Sequence, residues 1–151
     1  MVLDVTDAIK QQEKVFTFSL SENYGSLEYG GDTFVFDNPV KAEGQYSCKA
    51  DICFVGGTIS AAVESSCARC LEPVKMTIQA GFEEEFARRA DPDFPDRHVF
   101  SGDRIVLDEI VLANIVLDMP IRVLCSEDCR GLCPKCGQNL NTGSCSCKSD
   151  L

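Results

Sequence analysis

Six cysteines fall within the 23 residues from Cys125 to Cys147, and another pair, Cys67 and Cys70, stands mid-chain. A thiolate is a soft metal ligand and a nucleophile, so this density points to metal binding or to thiol redox chemistry. Cys133-Pro134-Lys135-Cys136-Gly137 has the form of a zinc knuckle. Two thiolates separated by two residues can approach one ion from a tight turn, and the following glycine lets the backbone curl back. Tetrahedral zinc needs four ligands at about 2.3 Å, so Cys133 and Cys136 require a second pair. Cys145 and Cys147 could supply it across the loop 138–144, and Cys125 and Cys129 are the rival pair; all six could also hold two metals through bridging thiolates. Zinc is the expected ion, with Arg130, Lys135 and Lys148 offsetting part of the thiolate charge. So short a segment has little apolar core of its own, so the metal would supply most of its order.

Cys67-Ala68-Arg69-Cys70 admits three readings: a redox pair, a second metal half-site, or a structural turn at a hairpin tip. A redox Cys-x-x-Cys gains its low thiol pKa from a helix N-terminus, and Pro73 would be compatible with one, yet the flanking pattern favours the hairpin. Cys48 and Cys53 lie in strand-like segments and read as small buried apolar residues rather than site residues. Elsewhere the signals for chemistry are weak. His98 is the only histidine and has no nucleophile motif around it, Glu83-Glu84-Glu85 on an alternating strand cannot all face one site, and Arg88-Arg89 is too short to mark a patch. No phosphate loop or dinucleotide fingerprint is present.

The elements that must position these thiols are mostly strands. Val15–Leu20 and Thr33–Phe36 read as strands, the second following the Gly30-Gly31-Asp32 turn signal, and Val40–Tyr46 and Asp51–Val55 continue the pattern. Gly56-Gly57 reads as a two-residue hairpin loop between Ile52–Val55 and Thr58–Val63. A further strand runs from Val74 to about Phe86, where Val74, Met76, Ile78 and Ala80 alternate with polar neighbours. One helix is expected over Asp108–Asp118, with Asp108 as N-cap, Ile110, Val111, Ile115 and Leu117 near one face, and Pro120 as the stop; the β-branched Val111, Ile115 and Val116 leave a strand open. Between sheet and helix, 90–96 is an acidic, proline-punctuated loop.

The chain has 151 residues, 44% apolar and 25% charged, which suits one folding unit: a mainly β body with one helix over 1–120, and a cysteine-rich zinc-binding tail over 121–151. The fold class expected is α+β: a mainly antiparallel sheet that could be barrel-like, with one main helix and the cysteine-rich zinc-binding tail. No apolar run reaches membrane-spanning length, and the first ten residues carry no secretory or transit signal, so the expected location is the cytoplasm, where thiols stay reduced. A formal net charge of −10 opposes a nonspecific grip on nucleic acid, so any RNA contact must be local.

In combination, Cys-Ala-Arg-Cys-Leu-Glu-Pro at 67–73, the Asp-rich loop, Ile-Val-Leu-Asp-Glu-Ile at 105–110 and LCSEDCRGLCPKCGQNLN at 124–141 resemble the YceD family of large ribosomal RNA subunit accumulation proteins over nearly the whole chain. The resemblance implies a role in the accumulation or assembly of the large ribosomal subunit and its rRNA, in bacteria and plastids, without a known catalytic activity. The motif positions it carries over are Cys67, Cys70, Cys125, Cys129, Cys133, Cys136, Cys145 and Cys147. Some branches of that family keep the mid-chain pair but lack the terminal cysteines, which fits a stabilising role for the tail. Two modes of action are compatible with the charge: a local basic surface of Arg69, Arg130, Lys135 and Lys148 holding an rRNA segment, or the acidic body holding a basic ribosomal protein or assembly factor, the mode favoured here. Two further classes are a thiol-disulfide redox protein using Cys67 and Cys70, and a tail that acts alone as a small nucleic-acid-binding zinc module.

Overall fold

The computed structural model describes residues 1–147. Its elements are β1 (Val2–Asp4), α1 (Thr6–Lys10), β2 (Phe16–Glu22), β3 (Ser26–Tyr29), β4 (Asp32–Phe36), β5 (Val40–Lys49), β6 (Ile52–Ser66), β7 (Pro73–Ala87), β8 (His98–Val99), β9 (Arg104–Val106) and α2 (Asp108–Asp118). β6 is the spine of a seven-stranded sheet. Along one edge it pairs with β7 over its full length, from Ile52↔Ala87 to Ser66↔Pro73. Its other edge is shared: β5 takes Ile52–Ser60, and β4 takes Val63 and Glu64. β2 lies outside β5, β3 outside β4, and β8 adds a short parallel strand to β7. Because two strands occupy one edge of β6 in succession, the sheet branches, and among the described residues it does not close into a barrel. β1 and β9 form a separate antiparallel pair.

Alternation along β6 and β7 sends Val55, Ile59, Ala61 and Val63, and Ile78, Ala80 and Phe82, to one buried face. The helix α2 lies against β7 and β6 and contributes Ile110, Val111 and Ile115 to the same core. The helix bounds agree with the sequence, but the cap does not: Leu107 holds the N-cap position without a side-chain bond, and Asp108 is the first helical residue, where its charge favours the positive end of the helix. Pro120 follows the extended Met119 and ends the helix.

Gly56-Gly57 is not a hairpin loop. Strand β6 runs straight through it, with Gly57 opposite Gly44 on β5 and Phe82 on β7. A Cβ on Gly57 would lie 2.2 Å from the Glu43 carbonyl oxygen, and one on Gly44 would lie 2.0 Å from that of Gly56. The glycines are there because two backbones approach closely, the other meaning of glycine in a strand. The turn falls at Ala50-Asp51, between the paired Lys49 and Ile52, with Ala50 at φ +54°. Next to that turn, Cys48 and Cys53 stand directly opposite one another and are joined by a disulfide, with Cα atoms 4.1 Å apart. Both are buried, as expected, but they are not independent apolar fillers: their register pairs them.

Candidate metal centres

The long β6–β7 hairpin carries Cys67 and Cys70 at its tip, between the paired Ser66 and Pro73. There the chain makes a knuckle: the Leu71 N–H donates to the Cys67 carbonyl over 3.0 Å, the Cys67 N–H donates to the Glu72 carbonyl, and Leu71 takes φ +64°. The tail repeats this turn. Gly137 N–H donates to the Cys133 carbonyl over 2.9 Å, with Gly137 at φ +75°. Both Cys-x-x-Cys motifs therefore end on a residue in the left-handed region, glycine in one and leucine in the other.

After α2 the chain returns to the hairpin tip and fastens there through several bonds. Ala68 N–H donates to the Val123 carbonyl, Leu132 N–H to the Arg69 carbonyl, and the Arg69 guanidinium to the carbonyls of Glu127 and Cys129. These contacts bring Cys125 and Cys129 onto Cys67 and Cys70. The pairs Cys67–Cys129 and Cys70–Cys125 have sulfurs 3.8 and 3.6 Å apart, and all four sulfurs lie within 4.8 Å of one another. Four ligands at 2.3 Å from a tetrahedral zinc stand about 3.8 Å apart, so this spacing suits a single ion. A second group forms from Cys133, Cys136, Cys145 and Cys147, again within 4.8 Å. The two partner pairs left open by spacing thus divide between two centres: Cys145 and Cys147 join Cys133 and Cys136, while Cys125 and Cys129 join the mid-chain pair across more than fifty residues. No thiol is shared between the groups.

The electrostatics are parallel in the two groups. At Cys67 burial works to raise the thiol, but N–H groups of Cys70, Arg69 and Cys125 outweigh it and bring it down to about 6. At Cys133 the N–H groups of Cys136 and Lys135 lower it to about 6. Cys70, Cys125, Cys145 and Cys147 move the other way. Cys70 rises to about 12: the Glu72 N–H lowers it, but burial and the neighbouring thiols prevail. Cys147 is pushed up to about 12 by the Cys136 thiol and burial. Cys129 is lowered as well, by the Asn141 amide that donates to its sulfur, so each group holds at least one thiol biased towards the thiolate, and the protons on the raised thiols would leave when a cation enters.

Cys67, Cys70 and Cys129 are buried with Val74, Leu124 and Leu132 around them, in a small cluster separate from the main core. The second group is more open, with Cys136 exposed and Cys145 half-buried. Spacing did not reveal Asn141, whose side-chain amide donates to the Cys129 sulfur over 3.3 Å, or the clamp formed by Arg69. Arg69 is thereby committed to holding the tail. Lys148 lies outside the described residues.

The remaining candidates take ordinary roles. His98 on β8 sits 3.1 Å from Glu84 and against the Phe86 ring, and Arg97 pairs with Glu85.

The profile of the family described as large ribosomal RNA subunit accumulation protein YceD matches residues 55–151, which include all eight of these thiols. The chain belongs to the YceD family. An uncharacterized protein of Mycobacterium tuberculosis is 35% identical over 91 residues, 55% of this chain and 42% of that protein. An uncharacterized protein of Mycobacterium leprae is 27% identical over 108 residues, covering 68% of this chain and 49% of that protein. A Zea mays protein named large ribosomal RNA subunit accumulation protein YCED homolog 1, chloroplastic, is 29% identical over 125 residues, 61% of this chain and 43% of that protein. The chain spans less than half the length of the curated relatives it matches. No solved structure matches it significantly. No helix among the described residues is long and apolar enough to cross a membrane.

Proposed function

We propose that this protein is a non-catalytic factor in large ribosomal subunit biogenesis and rRNA accumulation, acting in the cytoplasm by holding a basic ribosomal protein or assembly factor. Two zinc ions, one in each four-thiol group, stabilise it. In this reading Cys67, Cys70, Cys125 and Cys129 hold the first ion and join the tail, residues 121–151, to the body, residues 1–120, as one folding unit. Cys133, Cys136, Cys145 and Cys147 hold the second. Four thiolates and one Zn²⁺ carry a net charge of −2, and the N–H groups aimed at Cys67 and Cys133 offset part of it.

The observation that carries the choice of partner is the outer face of the sheet. A groove of about 390 Å³ runs over it, lined by Val15, Ser47, Phe54, Glu83 and Glu85, and a neighbouring groove of about 330 Å³ continues past the same glutamates to Asp93, Phe94 and Asp96. Phe54 and Val15 are 42% and 58% exposed. Arg97 and His98 partner Glu85 and Glu84, which leaves Glu83, Asp93 and Asp96 without an ion pair among the described residues. An apolar floor with an unbalanced acidic rim suits a basic segment that also carries apolar side chains. The rival rRNA surface is weakened because the Arg69 guanidinium is spent on backbone carbonyls of the tail.

Capture of large-subunit proteins from a lysate by the tagged protein, with and without ribonuclease, tests this. Capture should survive the nuclease, weaken as salt rises, and fall when Glu83→Lys and Asp96→Lys are combined. Loss of all capture on ribonuclease treatment would instead assign the contact to rRNA. The redox alternative needs an exposed nucleophile. Cys67 and Cys70 are 0% and 3% exposed, and they sit at a hairpin tip rather than at a helix N-terminus.

A further inference from the structure

A side chain on the loop between two thiols of the second group reaches a sulfur of the first. The loop between Cys136 and Cys145 folds back on the segment that links the groups: Leu140 N–H donates to the Gly131 carbonyl, Leu132 and Asn139 form a bridge, and Cys133 N–H donates to the Gln138 carbonyl. The loop's turn is closed internally by Asn139, whose side-chain oxygen accepts the Asn141 N–H at 2.9 Å. This places Asn141 beside the first group. Its side-chain oxygen accepts the Arg130 N–H at 2.8 Å, and its amide nitrogen donates to the Cys129 sulfur at 3.3 Å. The two bonds fix the amide orientation, because a flipped amide would turn an acceptor towards the thiolate and a donor towards another donor.

We infer that Asn141 couples the two groups, so that a metal ion in the second raises the affinity of the first. The inference rests on the metal reading above. The ligands Cys136 and Cys145 flank the loop that carries Asn141, and an ion held between them fixes the loop's ends. With the loop fixed, the N–H···S bond to Cys129 is formed at no further ordering cost, and it stabilises the thiolate of a ligand in the other group. Without that ion the loop keeps only its backbone bonds to 131–133, and more of its ordering must be supplied by the first group. Coupling is reciprocal by thermodynamic necessity: the first ion must raise the affinity of the second by the same factor. Ligand-supporting hydrogen bonds of this kind are worth about 10- to 100-fold in metal affinity, which sets the expected size.

The test uses the full, reduced, metal-free chain titrated with Co²⁺ and then with Zn²⁺ against a chelator. The sites are assigned by Cys67→Ser with Cys70→Ser, and by Cys133→Ser with Cys136→Ser. Asn141→Ala should weaken the first site about 10- to 100-fold. Asn141→Asp should weaken it further: it keeps the shape and the acceptor for Arg130 but puts negative charge against sulfur, an ordering that a merely structural role would not give. Removing the second site by Cys133→Ser with Cys136→Ser should weaken the first by a similar factor, and Asn141→Ala should add little on that background. Two ions bound with full independence, or a first site indifferent to Asn141, would overturn the coupling and leave the metal reading standing. No metal in the unaltered chain would overturn both.

Discussion

Gly131 links Cys129 of one thiol group to Cys133 of the other, and replacing it with alanine should loosen the tail from the hairpin tip. Its φ is +75°, and a Cβ there would lie 3.1 Å from the Arg69 carbonyl oxygen and 3.4 Å from the Arg69 Cβ. Placing an L-residue with a Cβ in the left-handed region costs about 1–2 kcal/mol. The Arg69 carbonyl must also give way, and it accepts the Leu132 N–H at 3.2 Å, so part of that bond's roughly 0.5–1.5 kcal/mol is lost as well. The total is about 1–3 kcal/mol. Gly137 provides the control: it has the same φ of +75°, but nothing lies within 4 Å of its Cβ position, so Gly137→Ala should cost only the backbone term of about 1–2 kcal/mol. Urea unfolding of both metal-loaded variants, read beside the rate at which a chelator strips the metal, measures the difference. Equal destabilisation by the two substitutions would refute the claim that the tail is held against Arg69 at this point.

Gly57→Ala places a Cβ 2.2 Å from the backbone oxygen of Glu43, and since backbone cannot step aside as a side chain can, the variant should unfold or lose well over ~3 kcal/mol; a fully stable Gly57→Ala would refute the continuous β6. The metal-free reduced protein should be most stable near pH 9. Below that, the stabilisation from Cys67 and Cys133, whose folded values are about 6 against an ordinary 9.0, is lost as pH falls towards 6. Above it, Cys70 and Cys147, raised to about 12, stay protonated in the folded state while the unfolded thiols ionise, so stability falls again. A flat profile of unfolding midpoint against pH would contradict this. The reduced protein should also show no activity in an insulin-reduction assay, and activity lost on Cys67→Ser would restore the redox reading.

What could be read from sequence had a local cause. The knuckle at Cys133-Pro134-Lys135-Cys136-Gly137, the alternation of Val74 to Ala80 and the helix between Leu107 and Pro120 are all written within a few residues. Five short elements were missed for the same reason: α1 is five residues with no side-chain cap, β3 is four residues with one half-buried side chain among exposed ones, and β1, β8 and β9 have two or three residues each, so none carries a full period. Gly56-Gly57 misled because glycine marks both turns and close backbone approach, and only the strand opposite decides between them. The four-thiol groups lie between these cases. Every thiol of the two groups was recognisable as a candidate ligand, but the grouping of Cys125 and Cys129 with Cys67 and Cys70 depends on where α2 returns the chain, and spacing cannot report that. The disulfide of Cys48 and Cys53 follows from a hairpin register that was read one turn too late along the chain.

Metal content of the protein purified reduced and without chelator, measured by elemental mass spectrometry beside the two double Cys→Ser variants, tests the central claim most directly. Two zinc ions per chain are expected, falling to one at most in Cys67→Ser with Cys70→Ser and in Cys133→Ser with Cys136→Ser. Absence of zinc from the freshly reduced, unaltered chain would contradict the account.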